Sequence, residues 1–208
     1  MYKQLIILVF ALSVVGQATA QEARAYRFTP SFAIKNNLLF DATASPNLGI
    51  EFKTGERFTL EIAGSYNPFV DPWKFSNENR KWKHILVQPE LRWWICEPFN
   101  GHFFGLHAHY AIYNVGGVKL PKISFSGGAG SDSKNYRYEG WLAGAGISYG
   151  YQFYLGRRWN LEATIGAGYA YLDYDRYECG TCGDFDGAHK KHYFGLTKAG
   201  ISLIYLIK

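Results

Sequence analysis

The chain has 208 residues, with 22 Lys and Arg against 17 Asp and Glu and a formal net charge of +5. This basic excess is mild and spread along the chain, which argues against nucleic acid as a partner. An aromatic content of 18% with 23 Gly and a single Met is a β composition, and it excludes a helical bundle.

Residues 1–20 read as a secretory signal peptide. Lys3 supplies the positive start, an apolar run extends from Leu5 to Val15 broken only by Ser13, and Ala18-Thr19-Ala20 offers small residues for cleavage before Gln21. Residues 21–208 are then long enough for one domain with a full core. No later stretch carries the unbroken apolar run that a transmembrane helix requires. Transmembrane β-strands escape that test, because only every second residue of such a strand faces lipid.

Period-two alternation recurs in eight segments. The first, 31–42, is the least clean, since Ile34, Leu38 and Phe40 share a face with Asn36. Segment 47–52 sets Leu48, Ile50 and Phe52 against Asn47, Gly49 and Glu51. In 58–66, Phe58, Leu60, Ile62 and Tyr66 oppose Thr59, Glu61 and Ser65. Around 85–95, Ile85, Val87, Leu91, Trp93 and Ile95 oppose Gln88, Glu90 and Arg92. Pro89 donates no N–H, so a bulge is expected there. Segment 102–112 presents Phe104, Leu106, Ala108, Tyr110 and Ile112 opposite His107 and His109. Two long segments follow: 140–153, apolar from Trp141 to Phe153 against Gly144, Gly146, Ser148, Gly150 and Gln152, and 159–171, apolar from Trp159 to Tyr171 against Asn160, Glu162, Thr164, Gly166 and Gly168. The last sets Ala199, Ile201, Leu203, Tyr205 and Ile207 against Lys198, Gly200 and Ser202.

Short turns at 53–57, 96–101 and 155–158 alternate with long polar loops at 67–81, 114–137 and 175–191. An up-and-down barrel with short turns at one end and long loops at the other has this rhythm. A water-soluble barrel is apolar inside, whereas here the minority face carries Glu51, Glu61, Glu90, Arg92, Glu162 and Lys198. Arg or Lys facing lipid at mid-depth would cost roughly 2–4 kcal/mol, so the charged face goes inward. The expected fold is therefore all-β: an eight-stranded antiparallel up-and-down transmembrane β-barrel in the bacterial outer membrane, bathed in outer-membrane lipid. Aromatics fall near strand ends, with Phe52, Phe58, Trp93, Phe104, Tyr151, Phe153, Trp159 and Tyr205 at the turn side. At the loop side they are Tyr66, Trp82, Trp141, Tyr169, Tyr171 and Tyr193, so that two interfacial girdles are expected.

Several stretches resemble a family of uncharacterised outer-membrane barrels from Bacteroides-like bacteria, classed as a domain of unknown function. They are Lys35-Asn36-Asn37-Leu38-Leu39-Phe40-Asp41, Pro46-Asn47-Leu48-Gly49-Ile50-Glu51, Val87-Gln88-Pro89-Glu90-Leu91-Arg92-Trp93-Trp94, Gly101-His102-Phe103-Phe104-Gly105, Trp159-Asn160-Leu161-Glu162-Ala163 and Thr197-Lys198-Ala199-Gly200-Ile201-Ser202. The resemblance implies the fold and the location. It implies no activity, and the frequent company of fimbrial and adhesion genes gives a contextual hint only.

Candidate chemistry is sparse. Cys179 and Cys182 form a C-x-x-C that can be a redox pair, a loop disulfide or, with His189 and His192, part of a zinc site. An oxidising cell surface favours a disulfide or free thiols. Cys96 falls in a turn at the opposite end, out of their reach. His107 and His109 beside the carboxylates could act as a general base or as metal ligands, but histidines hydrogen-bonded within a filled polar lumen are the expectation. Asp71, Asp173, Asp175, Asp184 and Asp186 could meet calcium, yet their spacing fits no EF-hand loop. Gly127-Gly128-Ala129-Gly130 has no basic residue after it to complete a phosphate cradle. No catalytic residue, cofactor or metal is therefore expected.

Three functions compete. A non-catalytic envelope barrel would use its long loops, with Trp73, Phe75 and Phe125, to contact a fimbrial component, another surface protein or glycan. A membrane-embedded enzyme acting on lipid A or peptides would need His107 or His109. A narrow pore ranks last, because an eight-stranded interior is filled by its own side chains.

Overall fold

A computed structural model describes residues 30–68, 81–116, 136–178 and 185–208. Residues 1–20, Cys179 and Cys182 lie outside the described residues, as do most of 67–81 and 114–137. The chain forms β1 (Phe32–Asn37), a short α1 (Leu38–Ala42), β2 (Asn47–Lys53), β3 (Phe58–Asn67), β4 (Lys81–Trp94), β5 (Gly101–Gly116), β6 (Tyr136–Tyr154), β7 (Trp159–Glu178) and β8 (Phe185–Ile207). Each strand pairs antiparallel with the next, and β8 returns to β1, so the eight strands close into one up-and-down barrel.

Alternation sets the two faces. Ile147 on β6 is 69% exposed on the outer wall and Leu106 on β5 is 61% exposed, while Glu51 and Arg92 inside are fully buried. The outward turn-end aromatics pack against one another across strands, as in Trp159 with Tyr205, T-shaped at 4.9 Å, and Trp93 with Phe104, stacked at 6.1 Å. At the loop end Tyr110, Trp141 and Tyr171 form a comparable chain of ring contacts. Trp82 and Tyr193, expected in that girdle, point into the lumen instead: Trp82 shares its face with His84, and Tyr193 sits opposite buried Ala170, its hydroxyl donating to the Leu196 carbonyl at 3.1 Å. Toward the loop end both faces carry rings, so ring content alone no longer tells in from out.

Three other expectations are corrected. The first strand stops at Asn37, because the Asn37 side chain accepts from Leu39 N at 3.1 Å and caps α1. The Asn47 carboxamide then clasps the bend, accepting from Asn37 N at 2.6 Å and donating to Asp41 Oδ1 at 2.9 Å. The loop expected over 175–191 is mostly strand: β7 runs to Glu178 and β8 starts at Phe185, leaving 179–184 between them. Cross-strand partners such as Asp173 with Lys190 and Tyr177 with Phe185 hold this extension, where polar side chains on both faces had masked the alternation.

Pro89 makes no bulge. It pairs with Ile62 in unbroken β3–β4 register, and β4–β5 keeps one register on either side of it, from Val87 opposite Tyr110 to Glu90 opposite His107. One missing donor thus interrupts the ladder without adding a residue. The bulges lie in β8 instead, where Thr197 and Asp186 are the extra residues against β7.

Strand length rises around the ring from 6 residues in β1 to 23 in β8. The wall is therefore low at β1–β3 and tall at β6–β8. Inside, glycine makes close approach possible: a Cβ at Gly146 would lie 2.5 Å from the Ala167 carbonyl oxygen and 2.9 Å from His107 Nε2. The imidazole occupies the space that a side chain on β6 would take.

Candidate functional site

The lumen builds up from a register effect. Glu51 on β2 lies opposite Glu61 on β3, and Glu61 lies opposite Glu90 on β4, so three carboxylates stand side by side on one wall. Like charges so placed repel, and cations from above, below and across relieve them. Arg92, two residues along from Glu90 on the same face, takes Glu90 Oε2 through Nε at 2.6 Å and Glu51 Oε2 through Nη1 at 3.1 Å, and pairs with Glu61. Across the barrel it grips Glu162 of β7 with two hydrogen bonds of 2.9 and 3.1 Å. Lys35 of β1 meets Glu51 and lies 2.7 Å from Glu162, while Lys198 of β8 closes on Glu90 at 2.8 Å.

Hydroxyls take further carboxylate lone pairs. Thr59 donates to Glu51 at 2.5 Å, Thr164 to Glu162 at 2.8 Å, and Ser148 to Glu90. Six strands thus meet in one buried cluster of four carboxylates and three cations. Such a cluster ties the walls together and fills the bore.

Toward the turn end the lumen is stopped by an apolar plug. Trp94 and Phe103 are fully buried with ring centroids 4.8 Å apart, and Trp94 donates to Thr59 Oγ1 at 2.9 Å. The Arg92 guanidinium lies over the Phe103 ring at 4.3 Å. The turn after β4 folds back so that Phe99, with φ of +66°, joins Ala33, Ile204 and Leu206 in the plug. That φ is unfavourable for a bulky residue. Burial of the ring and a 2.9 Å hydrogen bond from Asn160 to the Phe99 carbonyl hold it there.

Above the ion cluster the bore is looser and polar. A cavity of about 90 Å³ is lined by Lys35, Glu61, Ser65, Gln88, Thr197 and Lys198 among others. The β8 bulge turns Thr197 and Lys198 inward in succession, and Thr197 Oγ1 lies 2.9 Å from His107 Nε2. His107 and His109 stack loosely at 5.8 Å, both buried, with each Nδ1 lacking a protein partner. Higher still, one ring of inward residues runs Asn67, His84, Tyr113, Gly140, Tyr174 and His189 across β3 to β8. Ser65 Oγ and His84 Nε2 approach to 3.1 Å, but among the described residues no carboxylate orients the imidazole. A nucleophile–base pair without its orienting acid is a weak catalytic constellation.

The eight residues expected to form a polar network in the lumen all face it: Glu51, Glu61, Glu90, Arg92, Glu162 and Lys198 form the cluster, and His107 and His109 stand one level above it. Sequence reasoning misses Lys35, because Asn36 shares a face with Ile34, Leu38 and Phe40 and blurs the alternation of the first segment. The change from apolar Ile34 to charged Lys35 was the available signal. It also missed Thr197, since nothing in the pattern announces a bulge. Of the possible zinc set, Cys179 and Cys182 lie outside the described residues, and the two histidines sit on opposite faces: His189 faces the lumen against Tyr174, whereas His192 lies on the outer face, its Nδ1 2.5 Å from the Tyr169 hydroxyl. Cys96 is free and exposed in the turn after β4. Among the described residues no group of three or more His, Cys, Asp or Glu side chains is placed to hold a metal ion.

A family model described as "Protein of unknown function (DUF3575)" matches residues 5–207. No curated protein and no solved structure matches.

Proposed function

The chain belongs to the DUF3575 family of proteins of unknown function, and from its geometry we propose that it is a non-catalytic outer-membrane β-barrel that offers its loop end to a surface or fimbrial protein or glycan. The observation that carries the reading is the inverted distribution of side chains. Ile62, Ile85, Leu91, Leu106, Ile112, Ile147, Ile165 and Ile201 are all exposed on the outer wall, while the charges are inside. Apolar side chains exposed on every strand from β3 to β8 are not what a soluble monomer leaves open to water. Hydrocarbon satisfies them, and aromatic rows at both ends suit the interfaces.

The plugged turn end and the ion cluster favour a binding or structural role over a pore. The absence of an orienting acid beside Ser65 and His84 among the described residues favours it over hydrolysis. The partner-facing part of the proposal rests on the length and aromatic content of 67–81 and 114–137.

Spin labels at Ile62, Ile147 and Leu203 in the refolded protein should report hydrocarbon contact, and water contact there removes the membrane reading. Protease applied to intact cells should cut within 67–81 or 114–137. Full protection of both counts against a loop-end partner.

A further inference from the structure

A groove of about 630 Å³ is sunk in the outer wall where β3 ends and β4–β6 continue. Its floor is backbone carrying Ile85 and Ile112. Tyr66 stands on one side, and Tyr110 and Trp141, stacked at 6.2 Å, stand on the other. Its loop-side end is polar, with Lys83, Asn114 and Glu139 aligned across three neighbouring strands. The volume lies within the range of about 300–1,000 Å³ typical of small-molecule sites.

The charges at that end are not balanced. Glu139 is taken by Arg137 at 2.7 Å, whereas Lys83, exposed, has no carboxylate within ion-pair reach among the described residues. An apolar trough crowned by one ammonium that no carboxylate among the described residues opposes fits an amphiphile whose anion lies next to its acyl chain.

We propose that this groove binds one glycerophospholipid molecule, its phosphate on Lys83 and an acyl chain between Tyr66 and the Tyr110–Trp141 pair. The inference rests on the membrane reading above, since only a lipid-facing wall meets such a ligand. An ammonium at the boundary between rings and polar surface is well placed for a lipid phosphate.

The test is native mass spectrometry of the refolded barrel released from nanodiscs of phosphatidylglycerol mixed with a neutral diacylglycerol. Wild type should keep one phosphatidylglycerol in preference to the diacylglycerol. Lys83→Glu should lower that retention about tenfold, the size expected for losing a charge-assisted contact. Trp141→Ala should lower it while leaving the headgroup preference. Arg57→Glu, the same charge change at the opposite rim, should leave retention unchanged. Insertion with no preferred lipid, or equal retention by Lys83→Glu, overturns the groove while the membrane reading stands. Failure to insert into nanodiscs at all overturns both.

Discussion

Arg92 on β4 holds both carboxylate oxygens of Glu162 on β7, reaching across the bore with hydrogen bonds of 2.9 and 3.1 Å. These residues are 70 positions apart in sequence, on strands that do not pair with each other. A bidentate guanidinium–carboxylate pair fixes orientation as well as distance. The pair therefore acts as a strut between opposite walls, and the other carboxylates are arranged around it.

Arg92→Ala should be the most damaging single change in the lumen. It strands Glu51, Glu61, Glu90 and Glu162 with fewer cations in a buried site, and breaking such a network costs about 3–5 kcal/mol. Urea unfolding of the refolded barrel, followed by tryptophan fluorescence, should show that loss. Arg92→Lys keeps the charge but loses the fork, so its midpoint should fall between the two. If Arg92→Ala unfolds at the wild-type midpoint, the strut carries no stability.

Glu61→Gln should behave in the opposite sense. Glu61 stands opposite both Glu51 and Glu90, in a cluster where carboxylates outnumber cations by four to three. Neutralising it removes like-charge repulsion worth up to about 1 kcal/mol. The temperature at which the folded band disappears in heat-modifiable electrophoresis should stay level or rise. A clear fall would mean that Glu61 is a needed anion rather than a surplus one.

Ile147→Arg probes the outer wall at its most exposed apolar position, 69% open. In lipid vesicles an arginine at mid-depth should destabilise the barrel by roughly 2–4 kcal/mol. Ile147→Leu should be neutral. Equal stability of the arginine variant and wild type in vesicles would contradict a hydrocarbon environment.

Gly146→Ala tests the packing that seats His107. The added carbon would meet the Ala167 carbonyl at 2.5 Å and the imidazole at 2.9 Å. Overpacking of this kind costs typically about 1–3 kcal/mol. Pairing it with His107→Ala, which empties the imidazole's place, should recover part of the loss, and a double-mutant cycle in urea measures the coupling.

Much of the barrel was legible because the lumen and the outer wall demand opposite chemistry at every second residue. Glu51, Glu61, Glu90, Arg92 and Glu162 are each flanked by outward-facing apolar neighbours, so a period of two sorted them without any knowledge of contacts. The signal faded where both faces are polar or aromatic: beyond Tyr171 on β7, before Phe194 on β8, and at Trp82 and Tyr193. Phe99, in a turn, has no period at all.

By itself, the sequence determined the strand count, the antiparallel order and the inward set of the central strand stretches, from Glu51 to Glu162, since those follow from local alternation and connection length. Only the tertiary structure decided which inward charges meet. Lys35 and Lys198 reach the same carboxylate cluster because β8 closes onto β1, and Thr197 enters the lumen because one extra residue in β8 shifts its register against β7. Ring closure and register are properties of all eight strands together, and no single segment carries them.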